Sequence, residues 1–255
     1  MGWQDRFSLA GRKALVTGAS KGIGAEICAV FAEAGADIVA LGRDAGDLAA
    51  TAAAVRARGR RCLTLTAEMA SPTEPVAACE RALSEWGTID ILVNSAGIAN
   101  VAPALDFSTG DWDRMMAVNL RAPFLTARTL APAMIAQAWG KIVNISSQTG
   151  VIALDEHAAY AASKGGLNAL TKSLCAEWAR YNVQVNAICP TVVMTPMGRA
   201  VWGAAEKGDP FRNATPARRF AEPVEVADAA LYLASGASGM VNGALLMVEG
   251  GFTSV

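Results

Sequence analysis

The sequence predicts a doubly wound α/β fold, in which about seven parallel strands form one sheet with helices on both faces. Short aliphatic segments alternate with helical segments, and this alternation requires parallel pairing through right-handed crossovers. The strand segments are apolar on both faces, which is typical of a sheet covered on both sides. No linker, repeat or low-complexity segment divides the 255 residues, so we expect a single domain over residues 1–255.

The predicted elements follow one another in regular order. Strands are expected at 14–17, 37–41, 62–66, 89–93, 141–145, 183–188 and 244–248. Helices are expected at about 23–34, 47–58, 74–86, 111–137 and 158–181, with Gly35 and Gly59 ending the first two. Residues 191–222 are rich in Gly, Pro and charge and have no clear period. Such a stretch inside a compact domain is typical of a binding segment, so we expect a substrate lid there.

Composition and charge exclude several classes of protein. Hydrophobic residues make up 53% of the chain and charged residues 18%, which predicts a large core. The net charge is −1 and the sequence has no block of basic residues, so nothing indicates nucleic-acid binding. Five scattered cysteines without metal-ligand spacing indicate reduced thiols and no metal site. Because no apolar run reaches the length of a membrane span and the N-terminus has no signal core, we expect a cytoplasmic protein without membrane contact.

A glycine-containing loop follows the first predicted strand and leads into a helix. It reads Thr17-Gly-Ala-Ser-Lys-Gly-Ile-Gly24, with glycines at 18, 22 and 24. Glycines allow close approach of a pyrophosphate, and the helix N-terminus supplies free N–H groups. The spacing differs from the usual Gly-x-Gly-x-x-Gly dinucleotide pattern. The alternative is a tight turn that only packs the helix on the sheet, but the position after the first strand favours nucleotide binding.

A tyrosine and a lysine lie four residues apart on a predicted helix. Tyr160 and Lys164 therefore share one helix face, and Ser147 lies thirteen residues before the tyrosine. The pair can be an ordinary surface pair or part of an acid–base site.

Taken together, these motifs resemble the short-chain dehydrogenase/reductase family over essentially the whole chain. The matching motifs are the Thr17–Gly24 loop, Asn94-Ser-Ala-Gly97, Asn119, Ser147, Tyr160-x-x-x-Lys164, residues 190–195 and Gly250-Gly251. The resemblance implies a Rossmann-type sheet and an enzyme that transfers a hydride between a nicotinamide cofactor and an alcohol or ketone. It also implies a homotetramer assembled through the helices at 111–137 and 158–181.

The resemblance assigns four catalytic residues. Tyr160 would transfer the proton, and Lys164 would lower the tyrosine pKa and hold the nicotinamide ribose. Ser147 would hydrogen-bond the substrate oxygen; Ser146 is the alternative, but the family spacing selects Ser147. Asn119 would support a water beside Lys164. The alternatives are that Ser147 ends a strand and that Asn119 satisfies a backbone kink.

The family pattern also assigns the cofactor contacts, with three departures. Ser95 replaces an asparagine, Thr191 replaces a glycine, and Glu68 replaces an aspartate that usually meets the adenine, which puts that contact in doubt. The expected cofactor-binding residues are Gly18, Ser20, Lys21, Gly22, Ile23, Gly24, Arg43, Glu68, Met69, Asn94, Ala96, Gly97, Tyr160, Lys164, Pro190, Val193 and Thr195.

The end of the second strand favours NADP(H) over NAD(H). An NAD-preferring chain needs a carboxylate there for the ribose 2′-hydroxyl, and this chain has Gly42. Arg43 follows, and Lys21 lies in the glycine loop, so two cations can meet a 2′-phosphate. Asp44 is the counter-argument, because it can pair with Arg43 or bind the ribose itself.

Polar residues near the catalytic positions indicate a hydroxylated small-molecule substrate. Ser147, Gln148, Thr149, His157, Tyr160 and Trp202 are the expected substrate contacts, with Trp202 able to stack on a sugar ring; His157 can equally be a solvated loop residue. We expect a sugar alcohol, sugar or sugar acid. The alternatives are a 3-oxoacyl thioester and, more remotely, a non-catalytic nucleotide-sensing or scaffold protein.

Overall fold

The computed structural model describes residues 2–255, and a single seven-stranded parallel sheet forms its centre. The strand order is β3-β2-β1-β4-β5-β6-β7. From β1, the chain adds β2 and β3 toward one edge of the sheet, and β4 then lies on the other side of β1. The direction in which strands are added therefore reverses between β1 and β4. In such sheets ligands bind at this point, outside the carboxyl ends of the strands. The strands are β1 Lys13–Thr17, β2 Asp37–Gly42, β3 Cys62–Thr66, β4 Ile91–Asn94, β5 Gly140–Ile145, β6 Val183–Pro190 and β7 Leu245–Val248.

Helices cover both faces of the sheet, as the sequence predicts. Alternate strand residues face opposite cores: Val16 belongs to the same buried cluster as Ile27 on one side, whereas Leu15 belongs to the cluster of Leu130 and Leu174 on the other. The helices are α1 Trp3–Phe7, α2 Gly22–Glu33, α3 Ala45–Ala57, α4 Glu74–Trp86, α5 Thr109–Met116, α6 Ala122–Ala136, α7 Ala158–Trp178, α8 Pro196–Trp202, α9 Ala205–Ala214 and α10 Pro223–Ala234.

Glycines end two helices as expected. Gly35 and Gly59 follow α2 and α3 with φ of +104° and +73°, a region that favours glycine. The short α1 and the helix α10 are not among the predicted elements.

The helix expected at 111–137 is interrupted by a π-helical segment. Ala117–Arg121 forms this wider turn between α5 and α6, and the N–H of Ala122 donates to the carbonyl of Ala117, five residues earlier. Apolar periodicity does not reveal the interruption because both flanking helices bury apolar residues.

The expectation that residues 191–222 are irregular is wrong. They contain two short helices, α8 and α9. The Thr195 hydroxyl caps α8 by accepting from the N–H of Gly198 at 3.0 Å, and Pro196 occupies the first turn. Pro210 lies inside α9 and conceals its helical character in the sequence. Within residues 2–255, no helix is both long enough and apolar enough to cross a membrane.

Candidate active site

The carboxyl ends of β1, β4, β5 and β6 lie side by side at one edge of the sheet. Thr17 ends β1, and its hydroxyl accepts hydrogen bonds from the N–H groups of Ser95 (3.0 Å) and Ala96 (3.1 Å). These bonds tie the glycine loop to the segment after β4.

The glycine loop has no room for side chains at its three glycines. A Cβ at Gly18 would lie 2.8 Å from Ala96 Cα, and one at Gly24 would lie 2.3 Å from the Gly18 carbonyl oxygen. Gly22 has φ +61° and would bring a Cβ 3.1 Å from Thr195 Cγ2. The following helix α2 has no side-chain cap. Its first N–H groups are thus available for an anion, and the loop fits the pyrophosphate of a dinucleotide.

The end of β2 is Gly42 and therefore lacks a carboxylate. A Cβ on Gly42 would lie 2.2 Å from the Ser20 hydroxyl. Asp44 caps α3 by accepting from the N–H of Asp47 at 2.8 Å, so its carboxylate is engaged there and not with Arg43.

The two cations expected near a 2′-phosphate each form an exposed ion pair. Arg43 lies 3.6 Å from Glu68, and Lys21 lies 3.7 Å from Asp47. Glu68 also pairs with Arg114 at 3.5 Å and accepts from the N–H of Ala70. The Glu68 carboxylate is thus engaged, and its adenine contact stays a prediction.

The remaining predicted cofactor residues lie at or near the carboxyl ends of the strands, but several of their side chains have structural partners. Met69 packs in the core. Asn94 donates to Asn144 and accepts from Thr126 in the sheet interior. Met69 and Asn94 can therefore contact a cofactor through their main-chain atoms. Ile23 lies in the first turn of α2, Pro190 ends β6, and Val193 forms a bridge with Ala221.

Ser147, Tyr160 and Lys164 come together where β5 meets α7. The Ser147 hydroxyl accepts from the N–H of Thr149 at 3.1 Å, and the Lys164 ammonium donates to the Ile145 carbonyl at 2.8 Å. The ammonium lies 5.8 Å from the Tyr160 ring centre. Ser146 instead donates to the main chain of Lys164. This arrangement supports Ser147 over Ser146 as the hydroxyl beside the tyrosine.

The expectation that the Tyr160 pKa is lowered is wrong. Burial raises the Tyr160 pKa above its ordinary value, and the nearby Ser147 hydroxyl acts in the opposite direction. Burial also lowers the Lys164 pKa to about 8. Both groups lose solvation on burial, and this loss opposes the effect of the lysine charge on the Tyr160 pKa.

Asn119 lies in the π-helical segment and is fully buried. Its side chain accepts from the N–H of Ile98 and donates to the Ile98 carbonyl, both at 2.9 Å, and also donates to Ser163 at 3.0 Å. A Cβ placed on Gly97 would lie 3.5 Å from Asn119 Oδ1 and 3.6 Å from the Lys164 ammonium. The Asn119 amide oxygen and the Lys164 ammonium therefore both lie close to Gly97.

The residues expected to contact substrate differ in how they are held. Gln148 is 2% exposed, and its Oε1 has no hydrogen-bond partner. Thr149 is buried beside it. The half-buried His157 ring meets Tyr160 edge-on, with ring centres 6.3 Å apart. Trp202 packs against Phe211 at 5.0 Å, so its contact with a sugar stays a prediction.

Sequence reasoning missed two residues that position the site. Thr17 joins the glycine loop to the segment after β4, and Ser163 holds Asn119. Thr17 is recognisable only as the last residue of a strand, and no local signal distinguishes Ser163. Within residues 2–255, no group of three or more His, Cys, Asp and Glu side chains is arranged to hold a metal ion.

Comparisons with known proteins identify the family of the chain. The short chain dehydrogenase family model matches residues 12–205. The chain is 43% identical to D-threitol dehydrogenase of Mycolicibacterium smegmatis over 247 residues, covering 97% of this chain and 95% of the relative. It is 39% identical to NAD-dependent glycerol dehydrogenase of Listeria innocua over 254 residues, covering 99% and 98% of the two chains.

A solved structure is similarly close. The gluconate 5-dehydrogenase from Burkholderia cenocepacia, in complex with NADP and tartrate, superimposes with a TM-score of 0.95 at 41% identity and covers 100% of both chains. The chain therefore belongs to the short-chain dehydrogenase family and is an NAD(P)-dependent oxidoreductase.

Proposed function

We propose that the protein interconverts a secondary alcohol and a ketone in a sugar alcohol, sugar or sugar acid. The observation that carries this proposal concerns Gln148, which directly follows Ser147. Its side chain is buried, and its Oε1 atom has no hydrogen-bond partner. A buried acceptor without a partner is costly. Because Oε1 is shielded from solvent, we propose that the Gln148 side chain turns toward the substrate and accepts from one of its hydroxyls. The relatives named for threitol, glycerol and gluconate support the same substrate class.

The proton transfer is proposed for Tyr160. A bound nicotinamide would supply the hydride to the carbonyl carbon in reduction, or take it from the carbinol carbon in oxidation. The Ser147 hydroxyl holds the substrate oxygen, and the Tyr160 hydroxyl gives a proton to that oxygen during reduction or takes it during oxidation. The raised pKa of Tyr160 keeps the phenol protonated, which suits it as an acid for ketone reduction.

Lys164 and Asn119 support this step. The Lys164 ammonium favours the phenolate when the proton leaves, and it is placed to hold the nicotinamide ribose. Asn119 and Lys164 both lie close to Gly97, where a water can receive a proton from the ammonium. Asn119 is fixed there by its bonds to Ile98.

A substrate panel read at 340 nm tests the substrate class, with Gln148→Leu as the informative variant. We expect turnover of threitol, glycerol or gluconate in the wild type. The variant should lose roughly 10- to 100-fold in kcat/KM for the polyol, since one hydrogen bond to a hydroxyl is removed. Its melting temperature should stay the same or rise, because an unpaired buried polar atom is removed.

A ketone that carries no further hydroxyl is the matched substrate control, and its kcat/KM should be nearly unchanged in Gln148→Leu. Equal losses on both substrates would contradict the role of Gln148. Turnover of a 3-oxoacyl thioester and of no polyol would contradict the substrate class.

We also propose that NADP(H) is preferred over NAD(H). Gly42 leaves space without a carboxylate, and the Asp44 carboxylate is engaged in capping α3. The exposed pair between Arg43 and Glu68 is weak enough for a phosphate to replace it. Structural neighbours with bound NADP support this preference.

Arg43→Ala tests the preference, and Arg114→Ala is its matched control because both arginines pair with Glu68. We expect Arg43→Ala to lower kcat/KM for NADPH roughly 10- to 100-fold, with NADH changed little, since a charge-assisted bond to the phosphate is lost. Arg114→Ala should leave both values nearly unchanged. A wild-type preference for NADH, or NADPH activity untouched in Arg43→Ala, would overturn the assignment.

The proposal includes a homotetramer in the cytoplasm. Trp112 on α5 and Phe124 on α6 are large apolar side chains that are 40% and 38% exposed, which suits a contact between subunits. The free cysteines suit a reducing compartment. Light scattering should give the mass of four chains, and Phe124→Asp should lower it. A monomeric wild type would contradict the tetramer.

A further inference from the structure

The two helices within residues 191–222 contribute almost nothing to the core. In α8 no residue is buried, and in α9 only Gly208 is buried. Helices of this length need tertiary contacts to stay folded. The contacts that hold α8 and α9 therefore come mainly from partly exposed side chains.

An aromatic cluster of Trp202, Phe211, Phe220 and Phe252 provides these contacts. Phe211 on α9 is its centre, with ring centres 5.0 Å from Trp202, 6.2 Å from Phe220 and 4.7 Å from Phe252. The rings of Phe211 and Phe252 are stacked within 10° of parallel. Phe252 is the one member of this cluster that lies outside residues 191–222.

Hydrogen bonds hold the turn that carries Phe252. Phe252 begins this C-terminal turn, Phe252–Ser254, just beyond β7. The buried Glu249 carboxylate accepts from the N–H groups of Gly251 (3.1 Å) and Thr253 (2.7 Å). The Gly250 carbonyl accepts from the N–H of Ala217 at 3.0 Å. The buried Glu249, which directly follows β7, thus holds the turn that carries Phe252, and α9 stacks on Phe252 from one side.

We propose that Phe252 is a positioning residue that holds α8 and α9 over the substrate through its stack on Phe211. This inference rests on the proposed function and on the sequence-based expectation that residues 191–222 form a substrate lid, which we propose here for α8 and α9. Because Glu249 holds the turn that carries Phe252, we expect Phe252 to set the closed position of the lid. Trp202 belongs to the same aromatic cluster, so its position depends on the same contacts. The stack should therefore govern substrate affinity more than the chemical step.

Phe252→Ala in the full-length protein tests the proposal by hydrogen exchange and kinetics. Loss of a stacked aromatic pair should lower the equilibrium ratio of closed to open lid by roughly three- to tenfold. Without ligand, amide exchange of residues 196–214 should rise by that factor, with exchange in β1 and β4–β6 unchanged. KM for the polyol should rise by a similar factor, whereas kcat and the nucleotide dissociation constant should change less than about twofold.

Three variants sharpen the result. Phe252→Tyr keeps the stacked ring and should behave as wild type. Val255→Ala, at a 91% exposed position of the same segment, should also have no effect. In the double variant Phe211→Ala/Phe252→Ala, the rise in exchange should be smaller than the product of the two single effects, because both remove the same stack.

Unchanged exchange at residues 196–214 in Phe252→Ala would overturn the proposal. An equal rise throughout the sheet would also overturn it, since Phe252 would then serve general stability. Faster lid exchange with an unchanged polyol KM would refute the positioning role. If no polyol is a substrate, the substrate proposal fails by itself, and the location of the exchange increase still decides whether Phe252 holds the lid.

Discussion

Replacing Tyr160 by Phe should lower kcat by about a thousandfold while nucleotide affinity stays the same. The variant removes the hydroxyl that exchanges a proton with the substrate oxygen and keeps a ring of nearly the same volume. Positioned proton transfer contributes about 10²–10⁴-fold to a rate, which sets the expected loss. Steady-state kinetics at 340 nm and nucleotide titration by fluorescence measure the two properties separately.

Tyr181→Phe is the control, because Tyr181 is a 38% exposed tyrosine beyond the end of α7. It should retain full activity. If Tyr160→Phe kept more than about a tenth of the wild-type kcat on the substrate, the proton would have another donor.

Lys164→Met should lower both kcat and nucleotide affinity, since one ammonium is proposed to act on the Tyr160 phenol and on the nicotinamide ribose. Methionine fills the buried space without a charge. We expect a loss of about 10²-fold in kcat and about tenfold in nucleotide affinity, the size of charge-assisted hydrogen bonds in a buried site.

The pH dependence of nucleotide binding gives a second measure of the same role. The Lys164 pKa is lowered to about 8, so the wild-type ammonium loses its proton as the pH rises through about 8. Wild-type affinity for the nucleotide should therefore be higher below pH 8 and decline above it. Lys164→Met has no group to titrate there, so the gap between the two proteins should narrow with rising pH.

Lys172→Met, at an exposed position of the same helix, should leave kcat, affinity and the pH profile unchanged. A Lys164→Met protein that loses only one of the two properties would disprove the double role. A wild-type affinity that is flat between pH 7 and 9 would separate the ammonium from nucleotide binding.

The sequence predicts the sheet well because its signals are local. Each strand is a short aliphatic run, and Gly35 and Gly59 end helices through backbone conformations that few other residues adopt. The predicted start of β4 at residue 89 is two residues too early because Ile89 is apolar and buried without being part of the strand. The family is likewise evident from motif order and spacing, and the comparisons confirm it.

Features that depend on distant contacts were not predictable in this way. The bonds from Thr17 to the segment after β4 join residues far apart in sequence. The direction of the Tyr160 pKa depends on how deeply the phenol is buried, which spacing does not report. The helix α9 is held by rings from Trp202 and Phe252, whereas its own composition, with Gly208 and Pro210, argues against a helix.

The π-helical segment between α5 and α6 has a consequence for the length of this region. Its wider turn, Ala117–Arg121, accommodates one more residue than a regular helix over the same rise. Deleting one residue there would restore a regular α-helix and keep both flanks near their present orientation, so the buried Met115 and Met134 could still face their present neighbours. The turn that carries Asn119 would narrow, and the Asn119 side chain would lose its position beside the Ile98 main chain. Natural variants of this protein that lack one residue between 117 and 121 should therefore keep the fold and lose the placement of Asn119.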